Sequence, residues 1–117
     1  MPATEGAAVE VFLYGTLLDP AVLAARSGRR FPPRAWRPAL LAGWRRVMLR
    51  RQPYPTLRRA RGGRVAGVLI RVCGAPLRRL MAYEGAAYRL RPVRPCRPGR
   101  GPALAMAWIA HILLAEC

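Results

Sequence analysis

A short turn near the N-terminus has the residue types that bind an anion. It reads Tyr14-Gly15-Thr16-Leu17 and ends a segment that begins at residue 8, alternates briefly and is then fully apolar. Glycine lets a backbone approach a ligand closely, and successive N–H groups near a helix start form an anion cradle. Turns of this kind are also common as plain connectors between a strand and a helix, so the local pattern leaves both interpretations open.

The second candidate is one carboxylate, Glu84, within Ala82-Tyr-Glu-Gly-Ala-Ala-Tyr88. It is the only acidic residue between Asp19 and Glu116. Burial among apolar groups raises the pKa of a carboxyl towards the range of a general base, whereas a positive surrounding lowers it. The alternative is a structural ion pair with a nearby arginine, although the helix dipole disfavours an acid at a helix C-terminus.

Both segments are part of a longer pattern that resembles the gamma-glutamylcyclotransferase-like superfamily, and more narrowly its avirulence-induced-gene-like branch. The N-terminal part of the pattern is Val11-Phe-Leu-Tyr-Gly-Thr-Leu-Leu-Asp-Pro-Ala-Val-Leu23. Three more pieces follow in the order of the family: Tyr54-Pro-Thr-Leu57, Val65-Ala-Gly-Val-Leu69 and Leu80-Met-Ala-Tyr-Glu-Gly-Ala-Ala-Tyr88. The resemblance covers residues 9–110, which is nearly the whole chain.

The resemblance implies a small β-barrel flanked by helices, with one pocket at its mouth. The family's catalytic glutamate corresponds to Glu84, a general acid and base. The loop that binds the glutamyl group of the substrate corresponds to Tyr14, Gly15, Thr16 and Leu17. The other residues expected at the substrate are Tyr54, Tyr88 and Trp108.

The implied reaction is intramolecular. The α-amine of a γ-glutamyl group attacks its own γ-carbonyl, which forms 5-oxoproline and frees an amine. Such chemistry needs a base for the α-ammonium and hydrogen-bond donors for the carbonyl oxygen, but no metal and no cofactor. The expected partner is a small γ-glutamyl molecule, while the identity of the released amine and the oligomeric state stay open.

Three positions depart from the family's pattern. Met81 stands where an acidic residue often precedes the glutamate by three positions, and Leu90 stands where an arginine commonly follows the motif tyrosine by two. Trp108 replaces a tyrosine of the last strand, which keeps a large aromatic group but loses a phenol hydroxyl. A second hypothesis therefore stays open, namely a catalytically silent member of the fold that binds a small acid.

Length and composition set the class of protein. The chain has 117 residues, of which 53% are hydrophobic. The length predicts one domain over residues 1–117, and the hydrophobic fraction excludes a disordered basic tail. Three scattered cysteines without a CxxC pair favour reduced thiols over a disulfide framework or a zinc site. Neither a signal peptide nor an apolar run of membrane-spanning length is present, so we expect a cytoplasmic protein without a membrane partner.

The charge is strongly positive. All 21 basic residues are arginine, against 5 acidic residues, and the formal net charge is +16. The exclusive use of arginine has two interpretations, which composition leaves open: a coding bias of the source genome, and phosphate binding through the guanidinium fork. Nucleic acid or another polyanion thus stays a possible partner that no sequence motif supports.

The elements that position these residues are predicted from breaks in the pattern. A strand over residues 8–14 leads to a helix that starts at Asp19-Pro20 and stops at Gly28. Residues 39–49 predict one or two strands broken near Gly43, and residues 61–64 predict a hairpin turn before a strand over 65–72.

The second half of the chain follows the same logic. A helix opened by Gly74-Ala-Pro76 covers residues 77–83 and ends at Glu84-Gly85, and strands follow at 88–93 and 103–114. A turn over residues 95–102 separates these strands. The predicted fold class is α+β, a small mixed β-barrel flanked by two short helices.

Overall fold

The computed structural model describes residues 8–48 and 54–110. In chain order the elements are β1 (Val9–Leu13), α1 (Pro20–Ser27), β2 (Arg37–Met48), β3 (Pro55–Val72), α2 (Gly74–Glu84), β4 (Tyr88–Val93) and β5 (Ala105–Ala110). Short 3-10 turns lie at Thr16–Leu18 and Pro33–Ala35. This is the α+β architecture that the sequence predicts, and no helix within the described ranges is long and apolar enough to cross a membrane.

The strands form one curved, mixed sheet in the order β2-β3-β1-β5-β4. β1 lies antiparallel to β3 and parallel to β5. The chain after β4 then reaches β2 at the other edge, because the Leu40 N–H donates to the Cys96 carbonyl at 2.8 Å and the Cys96 N–H donates to the Leu40 carbonyl at 2.9 Å. These bonds connect the two edges of the half-barrel.

The side chains of β1 contribute to two hydrophobic clusters, because successive side chains of a strand point to opposite faces of the sheet. Val11 and Leu13 pack with Leu23 of α1 and Leu80 of α2. Phe12 and Tyr14 belong to a second cluster, which is built from strand residues. β1 is thus held from both faces, and it ends directly at the turn that carries the first candidate residues.

α1 begins and ends as predicted, and α2 ends as predicted but begins at Gly74 instead of residue 77, because Gly74, Ala75 and Pro76 form its first turn. The Asp19 carboxylate accepts a hydrogen bond from the Ala21 N–H at 2.9 Å, Pro20 occupies the first helical position, and Gly28 ends α1 with a φ of 76°. Gly85 has a φ of 78° and follows Glu84, which is the last residue of α2. A left-handed backbone of this kind suits glycine and stops a helix.

The predicted hairpin turn at residues 61–64 is wrong. β3 continues through this segment and pairs with β2 on both sides of it, with Arg59 opposite Trp44 and Arg64 opposite Ala42. Residues 60–63 therefore stand opposite one residue of β2, Gly43, and form a bulge. The chain reverses between Met48 and Pro55 instead.

The glycines at this bulge explain the error. Gly62 has a φ of 78° and Gly43 has a φ of 85°. Both a tight turn and a bulge require positive φ angles, so a Gly-Gly pair between strand-like residues does not distinguish the two. The irregularity near Gly43 was expected, but it bends one long strand rather than separating two.

Some predictions fall outside the described residues. These are Leu49 of the strand over 39–49, residues 111–114 of the last strand, and one of the three cysteines, Cys117. The other two cysteines, Cys73 and Cys96, are half-buried free thiols, as expected.

Candidate active site

A cavity of about 230 Å³ lies where β1 ends and where β3 and β4 begin. All eight candidate residues from the sequence line it: Tyr14, Gly15, Thr16, Leu17, Tyr54, Glu84, Tyr88 and Trp108. Five further residues complete the lining: Phe12, Leu13, Pro55, Tyr83 and Ala87. The volume lies just below the roughly 300–1,000 Å³ of sites for drug-sized ligands, so one small molecule fits. The structure brings the eight residues together, while their roles stay predictions.

Gly15 allows the turn after β1 to lie against the start of β3. A Cβ atom on Gly15 would lie 2.9 Å from Cγ of Pro55, which is closer than real Cβ contacts. The φ of Gly15 is −128°, so the need for glycine comes from this close approach and not from a left-handed backbone. The contact fixes the turn at the rim of the cavity.

The 3-10 turn leaves amide donors at the cavity. The Leu18 N–H donates to the Gly15 carbonyl at 3.0 Å, and the Asp19 N–H donates to the Thr16 carbonyl at 3.2 Å. The first N–H groups of a helical turn have no acceptor within it. In the described loops and caps, the N–H groups of residues 15–17 donate to no backbone carbonyl. Because these residues also line the cavity, their N–H groups are candidate donors to an oxygen bound there.

Glu84 is a half-buried carboxylate in the cavity wall. Within residues 8–48 and 54–110 no arginine forms an ion pair with it, although the chain is rich in arginine. Burial raises the pKa of Glu84 from its ordinary value of 4.5 to about 7. Desolvation thus outweighs the positive charge of the chain, and the carboxyl can both accept and donate a proton near neutral pH.

The raised pKa predicts that Glu84 destabilises the fold at alkaline pH. The folded state holds the proton more tightly than the unfolded chain, since the pKa is about 7 against 4.5. The proton on Glu84 therefore contributes up to about 3 kcal/mol to the free energy of unfolding. This contribution is fully present below pH 4.5 and is lost as the pH rises through 7. Glu84→Gln should therefore gain stability relative to wild type between pH 4 and pH 8, as measured by urea unfolding. Parallel pH curves for the two proteins would contradict this.

Two tyrosine hydroxyls tie the cavity wall together. The Tyr14 hydroxyl donates to the Trp108 carbonyl, which joins the end of β1 to β5. The Tyr88 hydroxyl donates to the Pro55 carbonyl at 2.9 Å, which joins β4 to the start of β3. Burial and then the nearby Glu84 raise the pKa of Tyr88 to about 12, and burial also raises the pKa of Tyr14. Both phenols therefore stay neutral and act as hydrogen-bonding groups.

Tyr83 is a cavity residue that the sequence analysis missed. Its hydroxyl lies 3.2 Å from Oγ1 of Thr16, so it connects the end of α2 to the turn after β1. The guanidinium of Arg26 lies 4.8 Å from the centre of its ring. Its neighbour Glu84 drew attention to this segment, but the partner of Tyr83 lies 67 positions away, and no local pattern indicates it.

The contact between Tyr83 and Thr16 predicts a measurable coupling. Tyr83→Phe and Thr16→Val should each lower the free energy of unfolding by about 1 kcal/mol, because each removes one hydrogen bond. The double variant should lose less than the sum, since both changes remove the same bond. Urea unfolding of the four proteins tests this, and strictly additive losses would show that the bond contributes nothing.

The lining of the cavity is acidic and aromatic, with no basic side chain. Leu90, at the position of the family's arginine, pairs with Trp108 across β4 and β5 and packs into the helix-side cluster. Arg89 and Arg91 are exposed, because alternation along β4 places them on the opposite face. Met81, which also departs from the family's pattern, is 48% exposed. Glu84 is therefore the only acid or base of this lining other than the tyrosines.

A metal site has no ready set of ligands in the part of the chain that the structure describes. No three His, Cys, Asp or Glu side chains there lie close enough to hold an ion.

Solved structures with the same fold include two Arabidopsis thaliana proteins studied in solution. One is 29% identical with a TM-score of 0.75, and the alignment covers 90% of this chain and 63% of that protein. The other is 24% identical with a TM-score of 0.77, over 96% of this chain and 74% of that protein. A gamma-glutamyl cyclotransferase shares the fold at 16% identity and a TM-score of 0.78, over 93% and 69% of the two chains.

The comparison of sequences is consistent with this. Among curated proteins no sequence matches the chain significantly. The family model described as "Gamma-glutamyl cyclotransferase, AIG2-like" matches residues 11–114, which include every residue of the cavity. With a match over most of its length, this chain belongs to the AIG2-like gamma-glutamyl cyclotransferase family.

Proposed function

We propose that the protein is an enzyme that cyclises a γ-glutamyl amide, releasing 5-oxoproline and a free amine. The observation that carries the proposal is the state of Glu84, a half-buried cavity carboxyl without an arginine partner in the described residues and with a pKa of about 7. Membership of the gamma-glutamyl cyclotransferase family supports the same reaction class.

Glu84 manages the proton in this reaction. The α-amine of the substrate arrives as an ammonium group, and the Glu84 carboxylate removes one proton from it. The nitrogen lone pair then attacks the γ-carbonyl carbon and closes a five-membered ring. The Glu84 carboxylic acid gives its proton to the leaving nitrogen, and the carboxylate then removes the second proton, which the ring nitrogen carries after its attack. The bond from the carbonyl carbon to the leaving nitrogen breaks, and the freed amine takes this second proton from Glu84 and leaves as an ammonium ion. Two protons thus pass from the α-nitrogen to the leaving nitrogen, and Glu84 ends the turnover as a carboxylate.

The amides of residues 15–17 stabilise the charge that develops on the carbonyl oxygen. The tetrahedral intermediate carries a negative oxygen, and preorganised N–H groups are typical donors to it. The contact of Gly15 with Pro55 supports this role, because it fixes the turn that carries these donors. Donors fixed in advance require no reorganisation when the charge appears.

The size of the cavity supports an arrangement with the glutamyl group in the interior and the leaving amine at the mouth. A volume of about 230 Å³ suits a glutamyl group, while Tyr54 is 46% exposed at the edge of the lining. The tyrosines and Trp108 enclose the glutamyl chain and restrict it to conformations in which its amine approaches its own γ-carbonyl. Such positioning contributes a large part of the rate of an intramolecular reaction.

The test is the release of 5-oxoproline from a panel of γ-glutamyl amides. In these compounds the γ-carboxyl of glutamate is joined to an amino acid, to a simple alkylamine or to the ε-amine of lysine. The matched control is the α-glutamyl isomer of each compound, whose free α-amine cannot displace the amine by the same ring closure. We expect 5-oxoproline from at least one γ-isomer and from no α-isomer. Binding of γ-glutamyl compounds without any product would favour the catalytically silent alternative and overturn the proposal.

A further inference from the structure

The part of the β2–β3 pair around and beyond Gly43 carries a dense group of arginines. Arg45 and Arg46 lie on β2, and Arg59, Arg61 and Arg64 lie on β3. All five side chains are exposed, and we call this group the arginine ribbon. β2 and β3 contain no aspartate or glutamate, so these strands supply no counter-charge of their own.

At the opposite end of the same strand pair, a carboxylate neutralises the arginines. Glu10 of β1 accepts a hydrogen bond from Arg37 at 2.7 Å and a second one from Arg71 at 2.8 Å. One carboxylate thus serves an arginine from each of the two strands. This shows how the fold balances arginines where it has an acid to use, and the arginine ribbon has no such residue on its strands.

The strand register brings the arginines of the ribbon together on a short stretch of the strand pair. Arg45 and Arg46 are consecutive on β2, so their side chains lie on opposite faces of the pair, and Arg59 stands opposite Trp44 beside them. The bulge at residues 60–63 adds a further exposed arginine, Arg61, between Arg59 and Arg64. These exposed like charges repel one another, and a polyanion that binds among them would replace this repulsion with attraction.

The aromatic group within the arginine ribbon is not a stacking platform. Trp44 is half-buried against the strand cluster, and the guanidinium of Arg59 lies 4.9 Å from the centre of its ring. Proteins that bind single strands usually offer exposed rings on which unpaired bases stack. The arginine ribbon instead offers guanidinium groups, which suit bidentate contacts with phosphate.

We propose that the arginine ribbon binds the phosphate backbone of duplex nucleic acid without reading its sequence. None of its five arginines lines the cavity, so this function is separate from the cyclisation reaction. Strands can lie along a groove of a duplex, and backbone contacts of this kind give affinity that falls steeply with salt. A coding bias would favour arginine over lysine, but it would not remove every acid from two long strands.

The experiment compares two triple variants that lose the same charge. One is Arg45→Gln, Arg61→Gln and Arg64→Gln in the arginine ribbon. The matched control is Arg89→Gln, Arg91→Gln and Arg100→Gln, which are exposed arginines on β4 and in the loop after it. Binding to a fluorescent 20-base-pair duplex is followed by anisotropy between 50 and 200 mM salt. Thermal unfolding and 5-oxoproline release are measured on each protein to show that it is folded.

We expect the arginine-ribbon variant to bind the duplex at least 10-fold more weakly at 100 mM salt. The slope of log affinity against log salt concentration should become about 2 to 3 less steep in this variant. Each lost phosphate contact lowers the magnitude of that slope by nearly one. The control should stay within twofold of wild type. Equal losses in the two variants would overturn the proposal, because binding would then depend on total charge. Tighter binding of the single strand, or equal binding of polyglutamate, would also overturn it.

Discussion

Glu84→Gln is expected to lower kcat for 5-oxoproline release by roughly 10²- to 10⁴-fold, the usual effect of losing a general acid–base residue. The amide keeps the shape of the side chain but can neither take the α-ammonium proton nor return it to the leaving nitrogen. Product formation should therefore fall much more than binding. Steady-state kinetics on a γ-glutamyl amide that wild type accepts gives both values.

The matched control for this change is Glu10→Gln. Glu10 is also a partly buried carboxylate, but it pairs with Arg37 and Arg71 and does not line the cavity. Its loss should cost stability and leave kcat within about threefold of wild type, since surface ion pairs have small effects. If the two variants lose activity to the same extent, Glu84 has no special role in the reaction.

The pH profile of wild type gives a second readout for the same residue. Burial raises the pKa of Glu84 to about 7, and only the deprotonated carboxyl can act as the base. Values of kcat/KM should therefore fall below pH 7 and rise as the pH increases through 7. A profile that is flat between pH 5 and pH 8 would exclude Glu84 as the base.

The second large effect is expected in the core, for Gly67→Ala. A Cβ atom at this position of β3 would lie 2.3 Å from the Leu13 carbonyl oxygen and 2.7 Å from the Phe12 ring. The obstacles are backbone and a buried aromatic ring, neither of which can move freely. We expect a loss of about 3 kcal/mol in the free energy of unfolding, at the upper end of overpacking effects.

Gly101→Ala serves as the control, because a Cβ atom there meets nothing within 4 Å. Urea unfolding should place this variant within about 0.5 kcal/mol of wild type, as for most surface changes. Equal stability of the two variants would mean that β1 shifts to admit the methyl group. In that case the turn after Tyr14 should move with it, and product release should change in Gly67→Ala.

The sequence was sufficient where the signals are local. Asp19-Pro20 and Gly85 mark helix ends through their own chemistry, and they correctly frame the turn after β1 and the carboxyl of Glu84. The family resemblance then grouped residues from four distant segments, and the structure places these residues around one cavity. The fold class followed from the same combination.

The errors arise where partners are distant. A Gly-Gly pair shows that the backbone needs positive φ angles, but the pairing of β3 with β2 decides that the result is a bulge. Tyr83 reads as an ordinary helix residue until Thr16 lies beside it. The sequence also does not show that position 67 requires glycine, because the Phe12 ring that covers Gly67 comes from another strand.

The position of β1 at the centre of the sheet has a consequence for folding and synthesis. Its antiparallel partner ends at Val72, but its parallel partner is β5, where Val11 meets Met106. Contacts so distant in sequence slow folding, because the closure of a long loop must come first. During synthesis on the ribosome, one edge of β1 stays unpaired until β5 has been made. The cavity, which needs Trp108 of β5, can then form only after nearly the whole domain has been made.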